Sequence, residues 1–209
     1  MSMPTLYYVH DPMCSWCWGF QPTWNRLLQQ LPSSVSVKRL VGGLAPDSYE
    51  PMPEEMRHYL QQTWRRIETE LDRPFNHDFW RNNIPRRSTY PACRAVIAAR
   101  QHDLETEMIE AIQKAYYLDA RNPSDLQVLK SCASQIGISE KVFVEAMDSA
   151  ELEYQLQTEI AQARSMPING FPSLVLESEG QRLALPLDYH NEAVMLSVIT
   201  SKLDPKFIE

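Results

Sequence analysis

Hydrophobic positions follow two different periods in the first forty residues. The run Leu6-Tyr7-Tyr8-Val9 is typical of a buried β-strand. The next apolar residues recur at helical spacing and predict a first helix: Phe20, Trp24, Leu27, Leu28 and Leu31. An alternating segment at 35–41 predicts a second strand, so the chain opens with a β-α-β unit of a parallel sheet. The sequence leaves open whether Pro22 kinks the helix or begins a new one.

The next hundred or so residues show helical stripes and no strand pattern. The first stripe consists of Met56, Leu60, Trp64, Ile67 and Leu71. Ser124 is predicted to cap a later helix that Gly137 ends, and Ser139 a short helix after it. Stripes of this kind predict a bundle-like helical insertion, which we place at 49–166.

Strand patterns return near the end of the chain. Residues 173–177 and 182–185 read as two strands of a β-hairpin around the turn Ser178-Glu179-Gly180, and an amphipathic helix follows. The predicted order is β-α-β, a helical insertion, then β-β-α. The fold class is therefore α/β, with 1–48 and 167–209 forming one discontinuous domain.

Two cysteines lie where the first strand passes into the first helix. Cys14 and Cys17 form a C-x-x-C motif, and a sulfur in the first turn of a helix meets unpaired N–H groups and the positive end of the helix dipole. Both favour the thiolate, which is the reactive form. We expect Cys14 to be the exposed nucleophile and Cys17 the resolving thiol of a redox pair.

A zinc site and an inert disulfide are the alternatives for this pair. A structural zinc site needs four ligands, and the remaining cysteines, Cys93 and Cys132, stand alone in separate predicted helices. Structural disulfides are rare in reducing compartments. We therefore predict redox chemistry, no metal, and free buried thiols at Cys93 and Cys132, although a regulatory disulfide between them stays open.

Charge and composition narrow the choice of partner. The formal net charge of -7 argues against a general affinity for nucleic acid or anionic membranes, which require a basic face. No apolar run approaches the length of a membrane span. The first residues also lack the basic and apolar regions of an export signal, which leads us to expect a cytoplasmic protein.

The order of elements, combined with C-x-x-C and the distant Gly170-Phe171-Pro172, resembles the DsbA family of thioredoxin-fold proteins. Three segments look most like its FrnE-like branch, namely Asp11 to Phe20, Gly42-Gly43-Leu44 and Tyr90 to Ala95. That branch is similar to 2-hydroxychromene-2-carboxylate isomerases and kappa-class glutathione transferases. The likeness spans essentially the whole chain.

This resemblance implies a thioredoxin-like fold and a role for two residues far from the cysteines. Pro172 corresponds to a cis-proline that faces the redox pair, and Phe171 to the residue whose peptide group pairs with an extended substrate. On local grounds alone, a trans bond before Pro172 is favoured. Trp16, Trp18, Tyr90 and Arg94 are candidates for the groove beside the cysteines, with core packing, surface or capping roles as the alternatives.

The expected activity is thiol–disulfide exchange or disulfide isomerisation on protein or peptide thiols, without a cofactor and with glutathione considered as a redox partner. Relatives that use glutathione typically carry serine where this chain has Cys14. The dipeptide Ser15-Trp16 lacks the histidine of strongly oxidising periplasmic members, so we expect a less oxidising potential. The rivals are a glutathione-dependent isomerase or transferase acting on a small aromatic compound, and a non-catalytic redox sensor.

Overall fold

The computed structural model describes residues 3–203. Its strands are β1 (Thr5–His10), β2 (Ser36–Val41), β3 (Ser173–Ser178) and β4 (Gln181–Ala184). Its helices are α1 (Ser15–Gln30), α2 (Glu54–Leu71), α3 (Phe79–Asn82), α4 (Tyr90–Arg100), α5 (Glu105–Tyr117), α6 (Leu126–Gln135), α7 (Glu140–Met147), α8 (Ala150–Arg164) and α9 (Glu192–Ser201). This order confirms the predicted α/β class, with helices α2–α8 between β2 and β3.

The four strands form one mixed sheet in the order β2-β1-β3-β4. Strand β1 runs parallel to β2 and antiparallel to β3, with Leu6 opposite both Val37 and Leu176. Strand β4 pairs antiparallel with β3, as the hairpin pattern predicts. Because β1 is a central strand, the loop that follows it emerges from the middle of the sheet.

Both faces of β1 are buried, which explains its uninterrupted apolar run. Leu6 and Tyr8 pack among residues of α1 and α9, including Phe20 and Met195. Tyr7 and Val9 face the opposite side and pack against Ala163 and Met166, at the end of α8 and just after it. The helical insertion thus covers one face of the sheet, and the terminal helices cover the other.

Two details of the helices refine the predictions. Helix α1 is continuous through Pro22, so no new helix starts there. The predicted cap at Ser139 is present, since its side chain accepts the N–H of Val142. The predicted cap at Ser124 is wrong, because the Ser124 hydroxyl donates to the Ser88 carbonyl instead and Asp125 occupies the position before α6.

Asp11, which follows β1, joins three segments that are distant in sequence. Its side chain is fully buried. One oxygen accepts the N–H of Met13 at 2.8 Å. The other accepts the Leu44 N–H at 2.8 Å and the Thr89 hydroxyl at 2.6 Å. The Cys93 thiol donates to that same oxygen at 3.5 Å. Asp11 therefore fixes the cysteine loop against both the loop after β2 and the start of α4.

Burial raises the pKa of Asp11, and the hydrogen bonds from Leu44, Thr89, Met13 and Cys93 act in the opposite direction. Four donors converge on the carboxyl group of Asp11, and a neutral side chain in its place has fewer acceptor sites for them. The loop that carries the cysteines is therefore held by hydrogen bonds to Asp11 as well as by packing.

None of the described helices is both long and apolar enough to cross a bilayer.

Replacing Asp11 by asparagine tests this role. The amide nitrogen of Asp11→Asn cannot accept the Leu44 N–H, and a buried donor without a partner costs about 1–3 kcal/mol. We expect the free energy of unfolding to fall by that amount in urea titrations followed by circular dichroism under reducing conditions.

Asp188→Asn is the matched control. One oxygen of Asp188 accepts the N–H groups of both His190 and Asn191, and an asparagine oxygen preserves both bonds. Its unfolding free energy should stay within about 0.5 kcal/mol of the original protein. Equal stability of the two variants contradicts the proposed role of Asp11.

Candidate active site

Cys14 occupies the N-cap position of α1. Its backbone N–H donates to the Asp11 carbonyl at 3.0 Å, which closes the turn between β1 and the helix. Its sulfur accepts the N–H of Cys17 at 3.3 Å. The first turn of α1 contains no acidic residue to oppose the helix dipole. A helix N-terminus of this kind stabilises negative charge on the capping atom.

Both cysteines of the motif are free thiols and both are buried. Cys14 is 6% exposed and Cys17 is 1% exposed, so the expected exposure of Cys14 is wrong. The reason is the loop before β3, which covers the Cys14 sulfur. Burial raises the pKa of Cys17 well above that of an ordinary thiol, and its hydrogen bond and charge interaction with Cys14 add to the increase.

The covering loop contains Phe171 and Pro172, joined by a cis peptide bond. The Cys14 thiol donates to the Phe171 carbonyl, with 3.5 Å between sulfur and oxygen. The Phe171 ring packs on Gly42, where a Cβ atom would lie 2.0 Å from the ring. Absence of a side chain at Gly42 therefore lets the ring, and with it the loop, approach the cysteines.

A groove of about 200 Å³ opens beside Cys14. One wall comes from α2 and another from the segment that precedes α4. Trp16 belongs to the lining, and the Arg66 guanidinium carbon lies 5.2 Å from the Trp16 ring centroid. The lining residues are Met13, Cys14, Ser15, Trp16, Leu44, Met52, Tyr59, Leu60, Thr63, Trp64, Arg86, Arg87, Thr89, Tyr116 and Phe171. Apolar and aromatic side chains dominate this surface, with arginines at the segment before α4.

Of the residues predicted for the groove, Trp16 lines it and the other three lie elsewhere. Trp18 is buried and stacks on Tyr117 at 5.6 Å. Tyr90 is buried and packs close to Gly43. Arg94 faces a separate pocket and pairs with acidic side chains at Asp47 and Glu153. These side chains support the helical insertion and do not touch the groove.

Sequence reasoning missed most of the groove wall and the role of Asp11. Leu60 and Trp64 of α2 belong to a stripe that looks like ordinary helix packing, so nothing in the pattern separated groove from core. Tyr59 and Thr63, which also line the groove, lie outside that stripe. Asp11 did offer a signal, because acidic side chains are rarely buried and this one directly follows an apolar strand. Gly42 belongs to a segment that carries the family resemblance, but its role becomes visible through its contact with Phe171.

The two remaining cysteines lie in the helical insertion, both buried. Burial raises the pKa of Cys93 well above the ordinary range and that of Cys132 to about 11. Cys93 contacts the site through its hydrogen bond to Asp11. Within residues 3–203, no group of three or more His, Cys, Asp or Glu side chains is arranged to hold a metal ion.

Two curated proteins with similar sequences carry an adapter name. ClpXP adapter protein SpxH of Halalkalibacterium halodurans is 23% identical over 198 residues, and that of Shouchella clausii is 19% identical over 181 residues. The matches cover 88% and 86% of this chain. They cover only 64% and 59% of the relatives, so this chain spans less than two thirds of their length.

Solved structures resemble the chain over nearly its whole length. A protein from Nitrosomonas europaea, provisionally described as a protein disulfide isomerase, is 29% identical with a TM-score of 0.83, covering 96% of this chain and 97% of its own. The cytosolic disulfide reductase DsbM from Pseudomonas aeruginosa is 26% identical with a TM-score of 0.77, and the match covers 95% of this chain and 98% of DsbM. A second DsbM structure contains GSH and has a TM-score of 0.74 at 22% identity, covering 95% of this chain and 98% of its own.

The family model for DSBA-like thioredoxin domains matches residues 5–191. That span includes the four strands, the cysteine pair and the loop with Phe171 and Pro172. The chain belongs to the family of DSBA-like thioredoxin domains.

Proposed function

We propose that this protein is a thiol–disulfide oxidoreductase that works through Cys14 and Cys17. The observation that carries the proposal is the position of the Cys14 sulfur. It lies 3.3 Å from the Cys17 nitrogen at the start of α1 and 3.5 Å from the Phe171 carbonyl oxygen. One sulfur is thus placed at a helix N-terminus, beside its partner cysteine, and next to a backbone group that an extended substrate can pair with.

The proposed reaction is a pair of disulfide exchanges. The Cys14 thiolate attacks a substrate disulfide, forms a mixed disulfide and releases one substrate thiolate. Cys17 then loses its proton and attacks the Cys14 sulfur, which forms the Cys14–Cys17 bond and releases the second substrate thiolate. The substrate is reduced by two electrons and the enzyme is oxidised. Run in reverse, the same steps oxidise a dithiol, and Cys14 acting alone isomerises disulfides.

The groove supports protein or peptide thiols as substrates. Its apolar wall, with Trp16 and Tyr59, suits flexible segments that expose hydrophobic side chains. Glutathione is the proposed small redox partner, supported by the DsbM structure that contains GSH. The cytosolic DsbM also supports a cytoplasmic location and a reducing direction for this chain. The narrower FrnE-like assignment stays a prediction.

A partner-binding module is the second candidate. Its support is the adapter name of the two SpxH relatives. In such a module, the redox state of the Cys14–Cys17 pair switches a binding surface without turnover. The glutathione-dependent isomerase or transferase is less well supported, because Cys14 provides a sulfur of the protein at the position where such relatives typically use serine. Catalytic reduction of protein disulfides distinguishes the oxidoreductase from the partner-binding module and from the glutathione-dependent enzyme.

Reduction of insulin by dithiothreitol measures that turnover. We expect the original protein to accelerate it, and Cys14→Ser to reduce the rate to the uncatalysed level, because a serine hydroxyl cannot form a mixed disulfide. Cys132→Ala removes a buried cysteine remote from the groove and should keep the rate within about two-fold of the original.

Insulin reduction that survives in Cys14→Ser excludes Cys14 as the nucleophile. Stoichiometric oxidation of the original protein without turnover favours the redox module. Glutathione binding without any disulfide reduction favours the glutathione-dependent enzyme.

Gly42 provides a test of the loop that faces Cys14. A methyl group in Gly42→Ala cannot coexist with the present position of the Phe171 ring, so the loop must move away from the sulfur. Overpacking of this kind costs about 1–3 kcal/mol. We expect insulin reduction to fall by about ten-fold, since small misplacements of reacting groups are expensive.

Gly170→Ala is the matched control, because a Cβ atom at Gly170 meets nothing within 4 Å. Its activity should equal that of the original protein. If both alanine variants retain full activity, the position of Phe171 does not matter for the reaction.

The reduction potential stays a prediction based on the Ser15-Trp16 dipeptide. Equilibration of the Cys14–Cys17 pair with glutathione buffers measures it. We expect a value less oxidising than in strongly oxidising periplasmic members, and an equally oxidising value would overturn this expectation.

A further inference from the structure

A second, much smaller cavity lies on the buried side of Cys17. Its volume is about 30 Å³, which is room for about one water molecule. Side chains from β1, α1, β2 and α5 surround it. They include Tyr8, His10, Cys17, Trp24, Glu110 and Gln113. Thr106 and Glu110, which belong to this lining, are exposed, so the lining extends from Cys17 to the protein surface.

Three of the lining side chains carry a buried polar atom without a hydrogen-bond partner in the described part of the chain. These atoms are Nε2 of His10, Nε1 of Trp24 and Oε1 of Gln113. The three side chains are only 1%, 3% and 2% exposed. Each such atom costs about 1–3 kcal/mol if it stays unsatisfied. Because three such atoms belong to side chains that line one small cavity, they point to a bound molecule that forms hydrogen bonds with all three.

The chemistry of the three atoms fits a single water. Trp24 Nε1 is a donor only, and Gln113 Oε1 is an acceptor only. Burial lowers the pKa of His10 from 6.5 to about 3, so its ring is neutral near pH 7 and its Nε2 can donate or accept according to the tautomer. A water can accept from Trp24 and donate to Gln113 while it exchanges a third hydrogen bond with His10.

Cys17 requires a neighbouring proton acceptor such as this water, because its thiol must lose a proton before it can attack the Cys14 sulfur. Cys17 is only 1% exposed, so its thiol does not meet bulk solvent directly. Tyr8 interacts with the Cys17 side chain, but burial raises the pKa of Tyr8 well above its ordinary value, so the phenol keeps its proton. Asp11 already accepts hydrogen bonds from Met13, Leu44, Thr89 and Cys93. Neither side chain is free to act as the base.

We propose that this cavity is a water-binding site that serves as the proton outlet of Cys17, with Gln113, His10 and Trp24 as positioning residues. The inference rests on the proposed dithiol reaction. When Cys17 resolves a mixed disulfide, its S–H proton passes to the bound water and leaves through the opening beside Glu110. The Cys17 sulfur then forms the bond to Cys14, and the substrate sulfur departs with the electron pair of the broken bond. When the disulfide is reduced again, the proton returns by the same route.

The two steps are separated by a coloured aromatic disulfide, dithiobis(nitrobenzoate). Attack by Cys14 releases a first nitrothiobenzoate anion, and resolution by Cys17 releases a second. Gln113→Met has nearly the same shape and removes the acceptor oxygen. We expect the second release to slow by about ten-fold or more, because loss of proton transfer typically costs at least that much. The first release should stay within about two-fold of the original rate.

Further variants distinguish a positioning role of Gln113 and Trp24 from a general packing defect. Gln113→Glu keeps an acceptor oxygen and should retain the second release. Trp24→Phe and Trp80→Phe each remove a buried indole N–H without a protein partner in the described chain, but only Trp24 lines the cavity. We expect a slower second release in Trp24→Phe and unchanged kinetics in Trp80→Phe. A crystal structure of the reduced protein should show one ordered water in contact with Gln113.

An unchanged second release in both Gln113→Met and Trp24→Phe overturns the proposal, and so does equal slowing of both releases, which indicates a packing defect. A dry cavity in the crystal structure overturns it as well. These results differ from failure of the proposed function, in which the original protein itself shows no second release.

Discussion

The hydrogen bonds that converge on the buried carboxyl group of Asp11 are the constraint on which the site depends. They join the cysteine loop to Leu44, in the loop after β2, and to Thr89, directly before α4. The Asp11 carbonyl also accepts the Cys14 N–H and so sets where α1 begins. Asp11 therefore fixes the position of the Cys14 sulfur, although it has no direct part in the proposed exchange. Burying a carboxyl group is costly, and here several donors offset that cost.

The two cysteines share one helical turn and have different surroundings. Cys14 faces the groove and the Phe171 carbonyl, where a substrate can reach it. Cys17 faces the interior, where Tyr8, His10 and Gln113 surround a small polar space. The motif thus separates the groove, where we propose that Cys14 attacks a substrate, from the interior around Cys17. The proposed proton outlet accounts for the polar side chains in this part of the core.

Much of the fold follows from the sequence, because its signals are local. The apolar run of β1, the stripe of α1 and the hairpin turn at Glu179 and Gly180 each require only a short window of sequence. The site is harder because its contacts are long-range. Phe171 and Gly42 meet through ring packing that no periodicity encodes, and the groove residues of α2 share the spacing of core residues. The expected exposure of Cys14 fails for the same reason, since the covering loop lies 157 residues away.

If Cys14 is the attacking sulfur and Cys17 the one that releases the substrate, a variant without Cys17 should hold the substrate on Cys14. When Cys17→Ala is incubated with a peptide disulfide, the mixed disulfide cannot be resolved and should accumulate. Mass spectrometry of proteolytic fragments should find the peptide attached to Cys14, with Cys93 and Cys132 unmodified. A peptide attached to Cys93 or Cys132, or no trapped adduct at all, would contradict the account.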